Sequence, residues 1–369
     1  MHFAFTPEQE QFRDAVRRFL RDRSPPAEVR RLMDDERGHD PGVWRQMCQE
    51  LGLGALHVPE DRGGQGFSVT ELGIAFEEMG RALLCAPYLS SVLATTVVAE
   101  ACAQEEAEQI VSRIAAGEQL AALALTEANG RWDAGGVELI ADGGRLRGSK
   151  THVIDGHAAD LLIVAARASG STGEEGLSLH VVAADAPGIT RRCLTALDPT
   201  RKLAGIDFAN VEARCISSDA APALRRTLDI ACVAVACELA GVAEALLESA
   251  VDYAKLRMQF GRAVGSFQAI KHKCADLLLE VELAKSAARY AAEAATVSDA
   301  DLPALASLAK AAAADAAMRA ARDCIQIHGG IGFTWDNDTH LWFKRAKSAE
   351  VLFGTPAWHR ERLMRCSEV

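Results

Sequence analysis

The residues best suited to chemistry lie in the second half of the chain. Arg257-Met-Gln-Phe-Gly261 sets a permanent cation beside a glycine-bearing loop, and a guanidinium there can grip a pyrophosphate through paired N–H donors. Gly329 and Gly330 remove side chains from a stretch of backbone, which lets it approach a flat or charged ligand closely. Gln268 and Gln326 carry amides that both donate and accept, the combination an adenine or ribitol edge requires. Taken singly, each has an ordinary reading: an Arg is commonly a solvated surface charge, and a Gly pair commonly a turn. Cys274 near His272 suggests a nucleophile and its base, but residues two apart on a helix point in different directions, so the pair carries no catalytic weight.

The elements that must position these residues follow from the apolar period. From Pro7 to about Gly117 the period is helical, as in Phe12, Val16, Phe19 and Leu20 and again in Trp44, Met47 and Leu51, with a loop at His57 to Gly66 where Gly and Pro cluster. Between about Leu120 and Pro222 the period becomes two: Val137, Leu139 and Ala141 precede the turn Asp142-Gly143-Gly144, and apolar runs follow at Leu161 to Val164, Leu177 to Val182 and Ile206 to Phe208. From Leu224 the helical period returns, with one stripe at Ile230, Val233, Ala234, Cys237 and Gly241 and another at Ile270, Cys274, Leu277, Leu278 and Val281. The expected fold is α+β and mainly α: an N-terminal helical domain over 1–119, a small middle β domain over 120–222 and a C-terminal four-helix-bundle domain over 223–369.

Composition narrows the class. A chain of 369 residues, 49% hydrophobic, can bury a large core and is longer than one usual compact unit. The net charge of -11 argues against nucleic acid as a partner, because that affinity rests on Lys and Arg neutralising phosphates. The start of the chain has no basic segment followed by an unbroken apolar one, and the most apolar stretch, Asp229 to Leu247, is interrupted by Glu238 and Glu244, so no membrane insertion is expected. The ten cysteines contain no CxxC pair, and several sit on helix faces as small hydrophobes, which fits a reducing, cytoplasmic location.

Three segments in order resemble the acyl-CoA dehydrogenase family. They are Arg257 to Gly261 with Ser266-Phe-Gln-Ala-Ile-Lys-His-Lys-Cys-Ala-Asp276; Gln326-Ile-His-Gly-Gly-Ile-Gly-Phe-Thr334 with Gly354-Thr355 beyond; and, at the front, Trp44 through Leu51-Gly-Leu, Val58-Pro-Glu, Gly63-Gly-Gln-Gly66 and Glu77-Glu-Met-Gly80. The resemblance implies FAD, an acyl-CoA thioester substrate, α,β-desaturation, and an electron-transferring flavoprotein as acceptor. It also implies that Arg257, Gln259, Phe260, Phe267, Gln268, Gln326, Gly329 and Gly330 contact the flavin of a neighbouring subunit, with Thr126 and Thr355 as further cofactor-binding positions.

Against that pattern, several residues depart. The reaction needs a carboxylate to take the α-proton, and in the family a Glu stands at one of two places. Here Phe353 and Ala231 occupy them. The family's flavin-lining Thr-Glu-Pro-x-Ala-Gly-Ser-Asp has become Thr126-Glu-Ala-Asn-Gly-Arg-Trp-Asp133, and its Lys-x-Trp-Ile-Thr has become Lys150-Thr-His-Val-Ile154. The chain thus keeps what it would lend and loses what it would use, which is similar to one half of the bacterial α2β2 acyl-CoA dehydrogenases, with a second subunit carrying the Glu. No catalytic residue is identifiable under that reading. The competing readings are a homomeric dehydrogenase whose base has moved to Glu238 or Asp229, with Asp229 expected instead to cap its helix, and a non-enzymatic scaffold or acyl-binding relative. The acyl group, and whether the thioester is carried by CoA or a carrier protein, are not legible here.

Overall fold

The computed structural model describes residues 5–367. Helices fill the chain up to Ala115 and again from Ala221, and strands of one sheet lie between Ala121 and Ser217, so the expected order of helical, β and helical segments is the observed one.

The front helices begin where their first turns can be satisfied. α1 (Pro7–Arg23) starts behind Thr6, whose hydroxyl accepts from the Gln9 amide at 3.2 Å while the Gln9 side chain accepts from the Thr6 amide at 3.0 Å. α2 (Pro26–Asp34) follows, and α3 (Pro41–Leu51) is capped by Asp40 and ends at Gly52. The stretch from His57 to Gly66 is irregular apart from a 3-10 turn at Glu60–Arg62. α4 (Val69–Arg81), α5 (Tyr88–Ala101) and α6 (Gln104–Ala115) complete the front.

The sheet contains β1 (Ala121–Ala124), β2 (Ile140–Asp142), β3 (Arg145–Ile154), β4 (Leu161–Arg167), β5 (Leu177–Ala183), β6 (Ile189–Leu194), β7 (Leu203–Glu212) and β8 (Arg214–Ser217). Its order is β6-β7-β3-β2-β4-β5-β8, with β1 parallel to β4. Gly143 and Gly144, at φ of 55° and 75°, make the β2–β3 hairpin turn that their sequence predicts. Leu146, Leu162, Val164, Ile206 and Phe208 bury one face of the sheet. Val137 and Leu139 are buried but precede the strand, contrary to the alternation; the Glu127 carboxylate takes the Glu138 and Leu139 amides, both at 2.9 Å, so strand pairing starts only at Ile140.

The back comprises α7 (Ala221–Leu256), the hairpin β9 (Met258–Gln259) and β10 (Arg262–Ala263), α8 (Gln268–Thr296), α9 (Leu302–His328), α10 (Thr339–Val351) and α11 (Pro356–Ser367). α7 is long and apolar enough to cross a membrane by composition, yet 89% of its most apolar window is buried in protein, the mark of a core helix. Asp229 lies well inside α7, so it does not cap the helix; the helix begins at Ala221, earlier than the apolar run suggests.

The chain divides into two compact units, one of residues up to Arg30, Val69–Leu84 and from Cys232, the other of Arg31–Ser68 and Cys85–Ala231. In the first, α4 crosses α7 at glycine: a Cβ on Gly80 would lie 2.1 Å from the Glu238 carbonyl oxygen, and one on Gly241 1.9 Å from that of Glu77. Only glycine at both allows that approach. α9 buries Ala313, Ala314, Ala317, Ala320 and Ala321. On α8 the buried row is Leu277, Val281, Ala284 and Ala288, whereas Leu278 is 51% exposed, so the expected stripe is narrower than its sequence spacing suggests.

Candidate functional site: a surface clamp and two base positions

The clamp residues belong to the first compact unit. Tyr253, near the end of α7, stacks on His328, the last residue of α9, with ring centroids 4.2 Å apart. That contact brings the ends of the two helices together, and with them Arg257 and the Gly329-Gly330 pair. Between β9 and β10, Phe260 and Gly261 take φ of 51° and 74° and form a two-residue turn of the I′ kind. A bulky residue in that region is strained, and here the strain displays Phe260 at 90% exposure. Phe267 faces Phe260 edge-on at 6.1 Å and carries the Arg262 guanidinium 4.0 Å above its ring. Gln268 opens α8, and Gln326 lies in the last turn of α9.

These polar groups are unspent. Arg257, Gln259, Gln268 and Gln326 are exposed, and among the described residues their side chains have no hydrogen-bond or ion-pair partner. Gly330 has no left-handed backbone to explain it, and a Cβ placed on Gly261, Gly329 or Gly330 would meet nothing within 4 Å. Gly330 therefore answers to no packing need within the chain. One guanidinium, three amides, two aromatic rings and bare backbone fit a ligand with a pyrophosphate and a planar base, lying outside this chain's own fold.

The segments that the sequence resemblance expects beside the chain's own flavin lie in the second unit, and their polar groups are already paired. Thr126 is buried and its carbonyl accepts from the Thr151 amide at 2.9 Å. Glu127 is ion-paired at 2.6 Å with Lys150, both buried, and Lys150 also donates to the Leu125 carbonyl at 2.9 Å. Burial lowers the Lys150 ammonium to about 8 despite the carboxylate beside it. Arg131 is bound to Asp133 at 2.6 Å, and Asn129 donates to the Gly136 carbonyl at 2.7 Å. His152 is exposed on a bulge of β3, where the pairing with β7 shifts register, and its φ is 53°.

The two positions where the sequence resemblance expects a base carry hydrocarbon side chains. Ala231 is fully buried in α7, and Phe353, at φ of 59°, is 5% exposed in the turn after α10. Glu238 is no free carboxylate: Arg345 of α10 donates to it at 2.7 Å with both side chains 2% exposed, and Arg345 reaches the Leu84 carbonyl at 3.3 Å. Thr355 accepts from the Trp358 amide at 3.3 Å and so caps α11. Sequence reasoning missed Lys310, fully buried in α9, which donates to the Glu350 and Gly354 carbonyls at 3.2 and 3.4 Å and ties down the turn bearing Phe353. An alanine-rich helix gives no sign that one lysine points inward. The ten cysteines are free thiols, and no metal-binding cluster occurs among the described residues.

Two sequence models match the chain: the acyl-CoA dehydrogenase N-terminal domain over residues 6–118 and the acyl-CoA dehydrogenase C-terminal domain over 221–367. The acyl-CoA dehydrogenase IpdE2 of Mycobacterium tuberculosis is 34% identical over 349 residues, 95% of this chain and 94% of that one. This chain belongs to the acyl-CoA dehydrogenase family. Acyl-CoA dehydrogenases are FAD-dependent oxidoreductases that act on CH–CH bonds, and the fold described above is that of the family. Among solved structures, the chain is similar to the ChsE4-ChsE5 complex of Mycobacterium tuberculosis, with a TM-score of 0.88, 26% identity and full coverage of both chains at 100%. It is likewise similar to a variant of the Tcur3481-Tcur3483 steroid ACAD, with a TM-score of 0.86, 27% identity and 97% of each chain covered.

Proposed function

We propose that this acyl-CoA dehydrogenase chain is the subunit of a heteromer that lends FAD contacts without supplying the base, so that α,β-desaturation of an acyl-CoA thioester takes place with a second, Glu-bearing subunit. The observation that carries this reading is the pairing of a free, exposed clamp with base positions occupied by Phe353 and Ala231. FAD, when bound, supplies the hydride acceptor. This chain's part is to grip the pyrophosphate with Arg257 and to border the adenine and ribityl edge with Gln259, Gln268, Gln326, Phe260, Phe267 and the bare backbone of Gly329 and Gly330. Thr126 and Thr355 remain further cofactor-side positions. The likeness to a two-component complex and to a steroid enzyme supports a heteromer and a bulky, ring-containing acyl group.

The homomeric alternative finds less support, because Glu238 is committed to Arg345 and Asp229 is buried in α7. A pure scaffold would have no use for the unspent clamp. Electrons pass onward to an electron-transferring flavoprotein in this reading, the division into 1–119, 120–222 and 223–369 is retained as the domain plan, and the free thiols fit a cytoplasmic location.

The test is the visible absorption spectrum of the chain purified alone and after coexpression with a family member that carries Glu at either base position. The expected result is no flavin alone and about one flavin per pair of chains on coexpression. Full flavin loading of the isolated chain, bleached by an acyl-CoA, would overturn the proposal.

A further inference from the structure

A cleft of about 1110 Å³ in the second compact unit has the loop from Asp34 to Asp40 as one wall, and two imidazoles, His39 within the loop and His157 from the turn after β3, meet on one of its carbonyls. His39 Nδ1 lies 3.2 Å from the Arg37 carbonyl oxygen, and His157 Nε2 lies 3.1 Å from the same oxygen. A carbonyl only accepts, so both nitrogens donate, and the neutral tautomers follow: the proton is on Nδ1 of His39 and on Nε2 of His157. The remaining nitrogen of His157, Nδ1, is buried with no hydrogen-bond partner among the described residues. It is tolerable there as a bare lone pair, but a second proton would bury an unsatisfied N–H.

The same junction carries contacts that do not titrate near neutrality. Lys202 donates to the Met33 carbonyl at 2.7 Å, Arg191 donates to the Gly156, His157 and Ala159 carbonyls at 3.2, 3.1 and 2.8 Å, and Asp35 accepts from the Arg37 and Gly38 amides at 2.8 and 3.2 Å. Of these groups, Lys202 and Arg191 are the cations whose charge bears on His157. Burial, with Lys202 and Arg191 nearby, outweighs the Arg37 and Glu36 carbonyls and holds His157 below the usual imidazole range. Burial likewise lowers His39, with the Arg37 charge and His157 adding to the effect and the Arg37 carbonyl and Asp35 opposing it. The carboxylates Asp34, Glu36, Asp40, Glu118 and Asp160 also line the cleft, with the cations Arg31, Arg37 and Arg45.

We propose that His157 is an acid-released clasp, which pins the 34–40 loop to the turn following β3 through the Arg37 carbonyl it shares with His39, and lets go when its ring takes up a second proton. The sign follows from the lowered folded values: the neutral clasp contributes its stability above the ordinary histidine range near 6.5, and loses it as pH falls through the lower folded values. Release frees the wall of the cleft and the turn at Asp155–His157, which directly follows the β3 segment bearing His152.

The test is amide hydrogen exchange on the full chain at about pH 7.5 and about pH 5, corrected for the intrinsic pH dependence, with β4 and β5 as internal reference. Protection of residues 34–40 and 155–158 should fall by about tenfold or more at the lower pH while the reference strands hold. His157→Gln and His39→Asn each keep an N–H donor without a titrating proton, so the double variant should lose the pH dependence. Equal protection of the loop at both pH values, or a drop of the same size in the double variant, would overturn the proposal. The wild-type comparison decides on its own if the double variant does not fold.

Discussion

The clamp and the Glu127–Lys150 lip of the middle sheet are both polar regions that the sequence resemblance associates with a flavin, but their polar groups stand in different states. Arg257, Gln259, Gln268 and Gln326 project into solvent and make no hydrogen bond or ion pair among the described residues, beside glycines that face open space. In the lip, Glu127, Lys150, Asn129, Arg131 and Asp133 are bonded to one another or to nearby backbone. A donor satisfied inside its own fold has little to offer a ligand, whereas one kept free at a surface is available to it. The clamp therefore has the character of a binding surface and the lip that of a structural joint, which is the asymmetry expected of a subunit that lends contacts.

The strongest way to break this comparison is to ask which region controls folding. Lys150→Met leaves the Glu127 carboxylate buried without its cation, and should destabilise the chain by about 3–5 kcal/mol in urea unfolding; a change under about 1 kcal/mol would mean that the lip is not a structural joint. Arg257→Ala should do the reverse. It should leave stability within about 0.5 kcal/mol of wild type and weaken FAD retention in the coexpressed pair by about 1.5–3 kcal/mol, roughly ten- to a hundredfold, measured by flavin release on dilution.

A pH effect separates the clamp from the interior of its own unit. Burial, with Lys310 and Arg362 nearby, pushes the His359 imidazole down to about 3, below its unfolded value near 6.5. Stability from the neutral ring is present above that unfolded value and is lost as pH falls through about 3, so His359→Leu should flatten the acid limb of a stability profile over that window. Flavin binding by the clamp at neutral pH should be unaffected. Smallest of all, Gly330→Ala adds one methyl where no protein atom waits, so thermal unfolding should not move while flavin retention in the pair declines less than for Arg257→Ala. A loss of stability without a flavin effect would make Gly330 a packing residue.

Much of this was legible in the order of residues. The change of period from helical to alternating and back placed the strands between Ala121 and Ser217, and Asp142-Gly-Gly specified its hairpin, because both depend on local backbone geometry. The absence of a carboxylate at Phe353 and Ala231 is likewise a matter of residue identity. The burial of Glu238 against Arg345 was not legible, since the partners are separated by 107 positions and meet only when α10 packs with α7. Nor was the inward course of Lys310, the exposure of Leu278 beside the buried Leu277, or the meeting of His39 and His157 on one carbonyl. Sequence alone determined which chemistry this chain can and cannot supply, because a side chain brings its acid, base or charge wherever it lies. Tertiary structure decided which of those groups are spent and which remain free, because burial and the arrival of a distant partner fix whether a polar atom is satisfied within the fold or left for another molecule.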